Sequence, residues 1–440
     1  MKNYKILYLF LIAVVLTACK PEIESFTPSA GNADFTKYIS LGNSLTAGYL
    51  DGDLFMSGQK ASYPNLIAGQ LKTVGGGEFL QPLMYDDIGF GKRLVLNLNT
   101  IRDCFGQPVD GVAPSLGAFP LAMLDPKTPD PRNFTNSQEL HGSHNLGVPG
   151  AKSFHLLAPG YGSMNPYFGR FAAGAQISVI EQAVSLNPTF FSLWIGNNDI
   201  LTYALAGGEQ DSLTSVQLFS YAYSNLLAAL TANGAKGVVA NIPDITNIAH
   251  FTTIPYNGLA LTDEAQVAGL NEGYEALGIT FQLGPNPFIV SDPGALGGMR
   301  QIKSNELILL SLPQDSIRCK GWGSLKPIPA QYFLDEGEIA NIKETTQQLN
   351  TVIESLATSN NLAFVNANAI FNNIRTGLVY DGARFNAKYI TGGVNTLDGI
   401  HLTARGNALV ANFFIEAINA KYQSQIPLVN VTDYPGIIFP

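Results

Sequence analysis

Short apolar runs of strand length alternate with segments of helical periodicity through most of this 440-residue chain. The clearest runs lie at 38–41, 189–195, 237–242 and 362–366, and a weaker strand is predicted before His144-Asn145. Helical stripes separate them at 177–184, 216–230, 339–356 and 409–418. Strands that alternate with helices predict an α/β fold, in which a parallel sheet is covered by helices on both faces.

Two stretches interrupt this alternation, at about residues 76–140 and 250–334. Both are rich in proline, glycine and polar residues. Connections inside compact domains seldom exceed about 15 residues, so we interpret both stretches as insertions with structure of their own. They are candidates for a cap over a functional site, and the sequence leaves open that they are elaborations without a function.

The chain begins with a pattern typical of bacterial export. Lysines at 2 and 5 precede an apolar run at 6–16 that is short for a membrane span. The run ends in Leu-Thr-Ala-Cys, which resembles the lipobox of bacterial lipoproteins, and 20–24 loosely resembles the surface-export signal of Bacteroidetes lipoproteins. We predict a signal peptide at 1–18, a lipid on Cys19, a flexible tether at 19–34 and attachment to the outer membrane, on a side that stays open.

The residues after the signal peptide exceed one typical domain in number, and we predict a domain at 35–425 that carries both insertions, followed by a tail at 426–440. Apolar residues make up 46% of the chain and charged residues 13%, which is ample for a sizeable core. The net charge of −9 argues against nucleic acid as a partner, because nucleic acid requires basic patches. Besides Cys19 only Cys104 and Cys319 occur, and their spacing leaves open whether they pair. The oligomeric state is likewise undetermined.

The five histidines fit no common metal-binding pattern. His141 and His144 are three residues apart, but the Gly-Ser pair between them disfavours a helix, and neither HExxH nor CxxC occurs. The stretch at 150–153 lacks the glycine that must precede the lysine of a phosphate loop, and G-x-S-x-G is absent. We therefore predict no metal and no cofactor.

His401 has a carboxylate at a suggestive spacing. Asp398 precedes it by three residues with Gly399 between them, so the two side chains can meet in a turn. A carboxylate that holds one imidazole nitrogen leaves the other free to act as a base. The pattern also fits a plain helix N-terminus, and it gains weight only if a nucleophile lies nearby.

Ser44 is the candidate nucleophile because it follows a predicted strand directly. The strand at 38–41 stops at Gly42-Asn43, and backbone N–H groups are unpaired where a strand turns into a helix. Glycine or amide side chains follow two further strands, at 145–151 and 194–199. Each is ordinary turn chemistry alone, but together they place polar groups at the sheet edge where open α/β sheets bind ligands.

Four short blocks in this order resemble the SGNH (GDSL) hydrolases. They are Gly-Asn-Ser-Leu at 42–45, Asn-x-Gly-x-x-Gly at 145–150, Gly-x-Asn-Asp at 196–199 and Asp-Gly-Ile-His at 398–401. The name-giving residues map to Ser44, Gly150, Asn198 and His401. The resemblance spans about 35–420 outside the insertions, and it implies a three-layer α/β/α sandwich with a mostly parallel, five-stranded, flavodoxin-like sheet.

The resemblance also implies a role for each matched residue. Ser44 would be the nucleophile, His401 the general base and Asp398 the group that orients the imidazole. The backbone N–H groups of Ser44 and Gly150, with the Asn198 amide, would form the oxyanion hole. The family usually has Asp at the residue before the serine, where this chain has Asn43; the amide keeps an accepting oxygen, and we expect activity to be retained.

These roles predict a serine hydrolase that cleaves carboxylic esters through an acyl-serine intermediate. Esterases, lipases, acylhydrolases and glycan O-acetylesterases all fit, so the substrate is a small-molecule, lipid or glycan ester that the sequence does not identify. Two alternatives stay open. One is a surface-anchored binding lipoprotein that keeps the fold without catalysis, and the other is an acyltransferase that uses an alcohol in place of water.

Overall fold

The structure, a computed structural model, describes residues 26–98, 101–109, 112–116 and 128–440. The predicted signal peptide and Cys19 lie outside these ranges. Within them, no helix combines the length and the apolar character that crossing a bilayer requires.

Five parallel strands form the central sheet: β1 (Tyr38–Gly42), β2 (Asn145–Gly147), β3 (Phe190–Trp194), β4 (Lys236–Ala240) and β5 (Ala363–Val365). Their spatial order is β5-β4-β3-β1-β2, which is the flavodoxin-like order. The predicted fold class is confirmed. The weaker strand was wrongly placed, because β2 begins at Asn145 and the residues before it form turns.

Eight helices frame the sheet and the site: α1 (Ser44–Ala47), α2 (Tyr63–Leu71), α3 (Val179–Ser185), α4 (Asn197–Leu205), α5 (Val216–Thr231), α6 (Ala249–Thr252), α7 (Glu336–Ser359) and α8 (Ala404–Tyr422). Alternate residues of the strands face opposite layers. Ile39 and Leu41 pack in a core with α3, α4, α5 and α7, whereas Tyr38 packs in a second core with α2 and α8. These two cores make the fold a three-layer sandwich.

Two predicted helix starts are present. Asp335 and Glu338 form a reciprocal capping box at α7, with hydrogen bonds of 2.8 and 2.7 Å. Thr403 caps α8 by accepting a hydrogen bond from the N–H of Gly406 at 2.9 Å. The second cap fixes the point at which the segment that carries His401 ends and α8 begins.

Each insertion contains short antiparallel pairs. In the first, Leu94–Leu98 pairs with Val112–Leu116 and Ile101–Arg102 pairs with Pro108–Val109. In the second, the pairs are Leu259–Leu261 with Gly284–Asn286, Ile289–Ser291 with Met299–Gln301, and Leu307–Ile308 with Phe333–Leu334. Outside the insertions, Leu378–Tyr380 pairs with Ala383–Phe385. The remaining α-helices are Met56–Lys60, Pro166–Gly169, Glu264–Tyr274, Gln314–Lys320 and Ala367–Thr376.

The two insertions are joined covalently. Cys104 in the first and Cys319 in the second form a disulfide, which answers the question that their spacing left open. The second insertion also buries apolar clusters of its own, which include Phe288, Val290 and Ile328. It is therefore a small subdomain rather than a long loop.

Both ends of the described chain pack against the domain. Ser29 pairs with Gln425 in an antiparallel bridge, and the N–H of Asn32 donates to the carbonyl of Tyr422 at 2.8 Å. Ile426 and Val431 are buried in the core beneath α8. Part of the segment expected as a tether, from Ser29 onward, is thus attached to the fold, and the segment expected as a tail begins inside the core.

Candidate active site

Ser44 lies at the carboxyl end of β1 as the first residue of α1. The helix is capped by Asn43, whose Oδ1 accepts a hydrogen bond from the N–H of Leu45 at 3.0 Å. A side chain at Gly42 would collide with the neighbouring chain, since a Cβ there would lie 2.5 Å from the carbonyl oxygen of Trp194. Because Asn43 supplies the cap, the Ser44 hydroxyl is available for another partner.

That partner is His401. Ser44 Oγ lies 2.9 Å from Nε2 of His401, and Nδ1 of the same ring lies 2.7 Å from Oδ2 of Asp398. The carboxylate is an acceptor, so Nδ1 carries the ring proton and Nε2 accepts from the serine hydroxyl. One residue at the start of α1 and two from the segment before α8 therefore form one continuous hydrogen-bonded line.

The carboxylate of Asp398 is held in its charged form. Oδ1 accepts from the hydroxyl of Thr396 at 2.7 Å and from the N–H groups of Ile400 and His401 at 2.8 and 2.9 Å. Oδ2 accepts in addition from the N–H of Gly52 at 3.0 Å. Burial by itself raises the pKa of Asp398, but the facing imidazole and these hydrogen bonds outweigh it and lower the pKa below its usual value.

The turn between the acid and the base is packed closely. Gly399 adopts φ of +73°, and a Cβ on it would lie 3.0 Å from the backbone nitrogen of His250 and 3.0 Å from Cδ2 of Leu310. The carbonyl of Gly399 accepts a hydrogen bond from the N–H of His250 at 2.9 Å. The second insertion thus contacts the catalytic turn directly.

Asn198 reaches the same site from the start of α4. Its Nδ2 donates to the carbonyl of Ala151 at 2.9 Å, which leaves its second amide hydrogen for another acceptor. The next residue, Asp199, accepts from the N–H and the hydroxyl of Ser153 at 2.8 and 2.7 Å. These contacts tie the loop after β2 to α4.

Gly150 stands in that loop, exposed and with φ of +79°. A Cβ built on it meets no described atom within 4 Å, so its backbone lies open to a ligand. Of the predicted site residues in the described ranges, Ser44, Asn198 and His401 line one shared cavity, whereas Gly150 and Asp398 are not among its lining residues.

The cavity at Ser44 is mostly apolar. It has an empty volume of about 460 Å³, which includes the open solvent at its mouth. Its polar lining consists of Asn43, Ser44, Asn197, Asn198 and His401, and its apolar lining of Leu45, Leu201, Pro243, Ile245, Ile248, Phe371, Ile400 and Leu402. No lining residue comes from the described parts of either insertion, so these parts do not form the wall expected of a cap.

Several residues that support the site were missed in the sequence. Tyr49 packs its ring 4.6 Å from the His401 ring, Gly52 bonds Asp398, and Thr396 and His250 hold the segment around it. Of these residues, only Thr396 lies close in sequence to the block Asp398–His401. The others lie about 150–350 residues from it, and no local pattern could have found them.

No group of three or more histidine, cysteine, aspartate or glutamate side chains is placed to hold a metal ion, as far as the structure describes the chain. The site is therefore described by its hydrogen-bonding groups alone.

Comparison with known proteins yields no match to a protein family and none among curated sequences. Solved structures do match, at low identity. A variant of an acetylxylan esterase from Geobacillus stearothermophilus is 12% identical with a TM-score of 0.36, covering 90% of this chain and 98% of the other. A lipase/acylhydrolase from Enterococcus faecalis is 11% identical with a TM-score of 0.33, covering 89% and 100%.

A further match is a protein from Parabacteroides merdae described as a GDSL-like lipase, at 12% identity and a TM-score of 0.36, covering 89% of this chain and 99% of the other. The fold of this chain is defined by its own strand order, and its chemistry by the distances among its own side chains.

Proposed function

We propose that this protein is a serine hydrolase that cleaves carboxylic esters. The observation that carries the proposal is the line from Ser44 through His401 to Asp398, with contacts of 2.9 and 2.7 Å at the mouth of a cavity. Nucleophile, base and orienting carboxylate are each within hydrogen-bonding distance of the next, which is the geometry that this chemistry requires.

In the first half of the reaction, the Ser44 oxygen attacks the ester carbonyl while Nε2 of His401 takes the hydroxyl proton. The tetrahedral intermediate collapses when the ester C–O bond breaks, and the imidazolium returns the proton to the departing alcohol. The acyl group is then bonded to Ser44. Asp398 keeps Nδ1 protonated and stabilises the positive charge on the ring between these two transfers.

In the second half, water attacks the acyl-serine carbonyl while His401 takes one of its protons. Collapse of this intermediate releases the carboxylic acid and returns the proton to Ser44. The balance is one ester and one water converted to one acid and one alcohol. During both attacks, the N–H groups of Ser44 and Gly150 and the free amide hydrogen of Asn198 would stabilise the oxyanion.

The cavity favours an ester with an apolar chain. Its walls are aliphatic or aromatic apart from Ser44, His401 and three asparagines, so a sugar hydroxyl buried away from these five residues would lack a partner, at about 1–3 kcal/mol each. Each buried methylene contributes about 0.8 kcal/mol, so kcat/KM on p-nitrophenyl esters should rise up to about fourfold per methylene beyond acetate. A preference for acetate, or for acetylated glycans, would contradict this substrate class.

Labelling with a fluorophosphonate tests the catalytic proposal directly. The intact protein should be labelled, Ser44→Ala should abolish labelling, and His401→Ala should suppress it. Ser212→Ala, at an exposed serine that does not line the cavity, is the matched control and should be labelled like the wild type. An unlabelled wild type would favour the alternative of a binding protein that keeps the fold.

We also propose that the protein is exported and anchored through a lipid on Cys19, which rests on the sequence pattern alone. Metabolic labelling with a radioactive fatty acid tests it: the wild type should incorporate label, and Cys19→Ala should not. Label retained in the variant would contradict the anchor.

A further inference from the structure

The second insertion begins on a residue that bonds the catalytic turn. His250 lies on α6, and its Nδ1 is 3.2 Å from the carbonyl oxygen of Asp398. Its backbone N–H donates to the carbonyl of Gly399 at 2.9 Å, and its own carbonyl accepts from the N–H of Leu310 at 2.8 Å. Side chain and backbone of one residue therefore hold two successive peptides of the acid-base segment.

The protonation of His250 follows from its partner. A carbonyl oxygen only accepts, so Nδ1 carries the proton, and Nε2 is buried without a hydrogen-bond partner among the described residues. Only 6% of the residue is exposed, and this burial lowers the pKa of His250. The ring is thus a neutral donor with a fixed orientation.

Packing leaves the turn little room to move. A Cβ at Gly399 would lie 3.0 Å from both His250 and Leu310, so the insertion closes on the peptide that follows Asp398. Leu310 itself follows the strand Leu307–Ile308 of the insertion, which pairs with Phe333–Leu334 just before α7. The contact therefore belongs to a braced part of the subdomain.

We propose that His250 is a positioning residue for the catalytic triad, through which the second insertion holds Asp398 in line with His401. The inference rests on the proposed hydrolase function. The Nδ1–H of His250 fixes the carbonyl of Asp398 and hence the peptide plane from which its side chain projects. The carboxylate then stays 2.7 Å from His401 Nδ1 without using His250 in the reaction itself.

We expect replacement of His250 to lower kcat rather than to weaken substrate binding. His250 does not line the cavity described above, so its loss should leave substrate binding intact. His250→Phe keeps a ring of similar size without the donor, and we expect kcat to fall about tenfold with KM within about twofold, the scale of one hydrogen bond. The downfield proton NMR signal of His401 Nδ1–H should broaden or shift.

Two conservative variants test whether the position of the donor nitrogen at residue 250 matters, independently of the size of the side chain. His250→Asn places an amide nitrogen near the position of Nδ1 and should restore most of kcat and the NMR signal. His250→Gln places its amide near the position of Nε2 and should remain as slow as the phenylalanine variant. Equal kcat in the asparagine and glutamine variants would overturn the proposal, because a structural role would not distinguish the two nitrogens.

His144→Phe is the matched control. His144 also bonds backbone through Nδ1, accepting from Leu80 at 2.9 Å, but it stands before β2 at the sheet edge opposite Ser44. Its variant should lower the melting temperature without changing kcat. Wild-type kcat in His250→Phe, with normal fluorophosphonate labelling of Ser44, would overturn the positioning role alone, whereas an unlabelled wild type would overturn the hydrolase function itself.

Discussion

The backbone N–H of Gly52 donates to Asp398 Oδ2, the same oxygen that accepts from His401. The loop after the nucleophile helix therefore holds the acid as well. Its Asp51 accepts from the N–H of Leu397 at 3.2 Å, and its Asp53 accepts from the first insertion. Nucleophile and acid are thus positioned by one short segment, although about 350 residues of chain separate them.

Asp398→Asn should lower kcat by about 10³–10⁴-fold. The amide no longer stabilises the imidazolium, and it can present its NH₂ group to the ring and favour the wrong tautomer. Steady-state hydrolysis of a p-nitrophenyl ester measures the change, with circular dichroism as the check on folding. A folded variant with more than a tenth of wild-type kcat would show that Asp398 does not orient the base.

Asn43→Asp should change kcat/KM by less than about threefold. A carboxylate keeps the oxygen that caps α1 at Leu45, and a negative charge at a helix N-terminus is favourable. The measurement is kcat/KM beside that of Ser44→Ala. A loss as large as that of the serine variant would mean that the neutral amide is itself required.

Asn198→Ala should reduce kcat by about 10²–10³-fold, because one oxyanion donor is removed. The substitution also frees the carbonyl of Ala151, so a decrease in melting temperature is expected as well. Reaction with a fluorophosphonate should slow in parallel, since its phosphoryl oxygen uses the same hole. Unchanged kcat would place the oxyanion elsewhere.

Asp51→Asn should stabilise the protein more at pH 8 than at pH 5. Burial raises the pKa of Asp51 to about 6. The folded state then binds its proton more tightly than the unfolded state, so this carboxyl lowers stability as pH rises from about 4 through 6, by about 1–3 kcal/mol in full. Denaturant unfolding of both proteins at the two pH values measures the difference, and an equal difference at both would refute the assignment.

Replacing both Cys104 and Cys319 by serine should lower the free energy of unfolding by about 2–5 kcal/mol. The disulfide closes a separation of 215 residues and joins the two insertions. Because no described residue of either insertion lines the cavity, we expect kcat to be largely retained at temperatures where the variant is folded. Free-thiol titration of the unfolded Cys19→Ala variant checks the bond: reactive thiols without reductant would show that Cys104 and Cys319 are not paired.

The parallel sheet and the position of Ser44 at its edge could be predicted for one shared physical reason. Strands such as Phe190–Trp194 are continuous apolar runs, and the residues at their carboxyl ends must meet at one edge once the sheet is parallel. The place of Ser44 therefore follows from the order of the strands, whereas His401, well after β5, was predicted from its spacing to Asp398 and from the resemblance of the four blocks. Strand β2, with only three residues, carries too little periodicity to fix its start.

The supports of the site were not predictable. His250 and Gly52 act through long-range backbone contacts, for which no side-chain pattern exists. The composition of the insertions did not predict where they lie, and their described residues contact the segments that hold Asp398 without lining the cavity. Whether Cys104 and Cys319 pair depends on how two subdomains meet, which local sequence does not encode.

The bridge between Ser29 and Gln425 shows on which side of the domain the N-terminal segment joins it. It lies past the far end of α8, whose 19 residues extend about 28 Å from the segment that holds His401. The chain thus enters the domain at the pole opposite the cavity. Any attachment through the N-terminal segment would therefore reach the domain on the side away from Ser44.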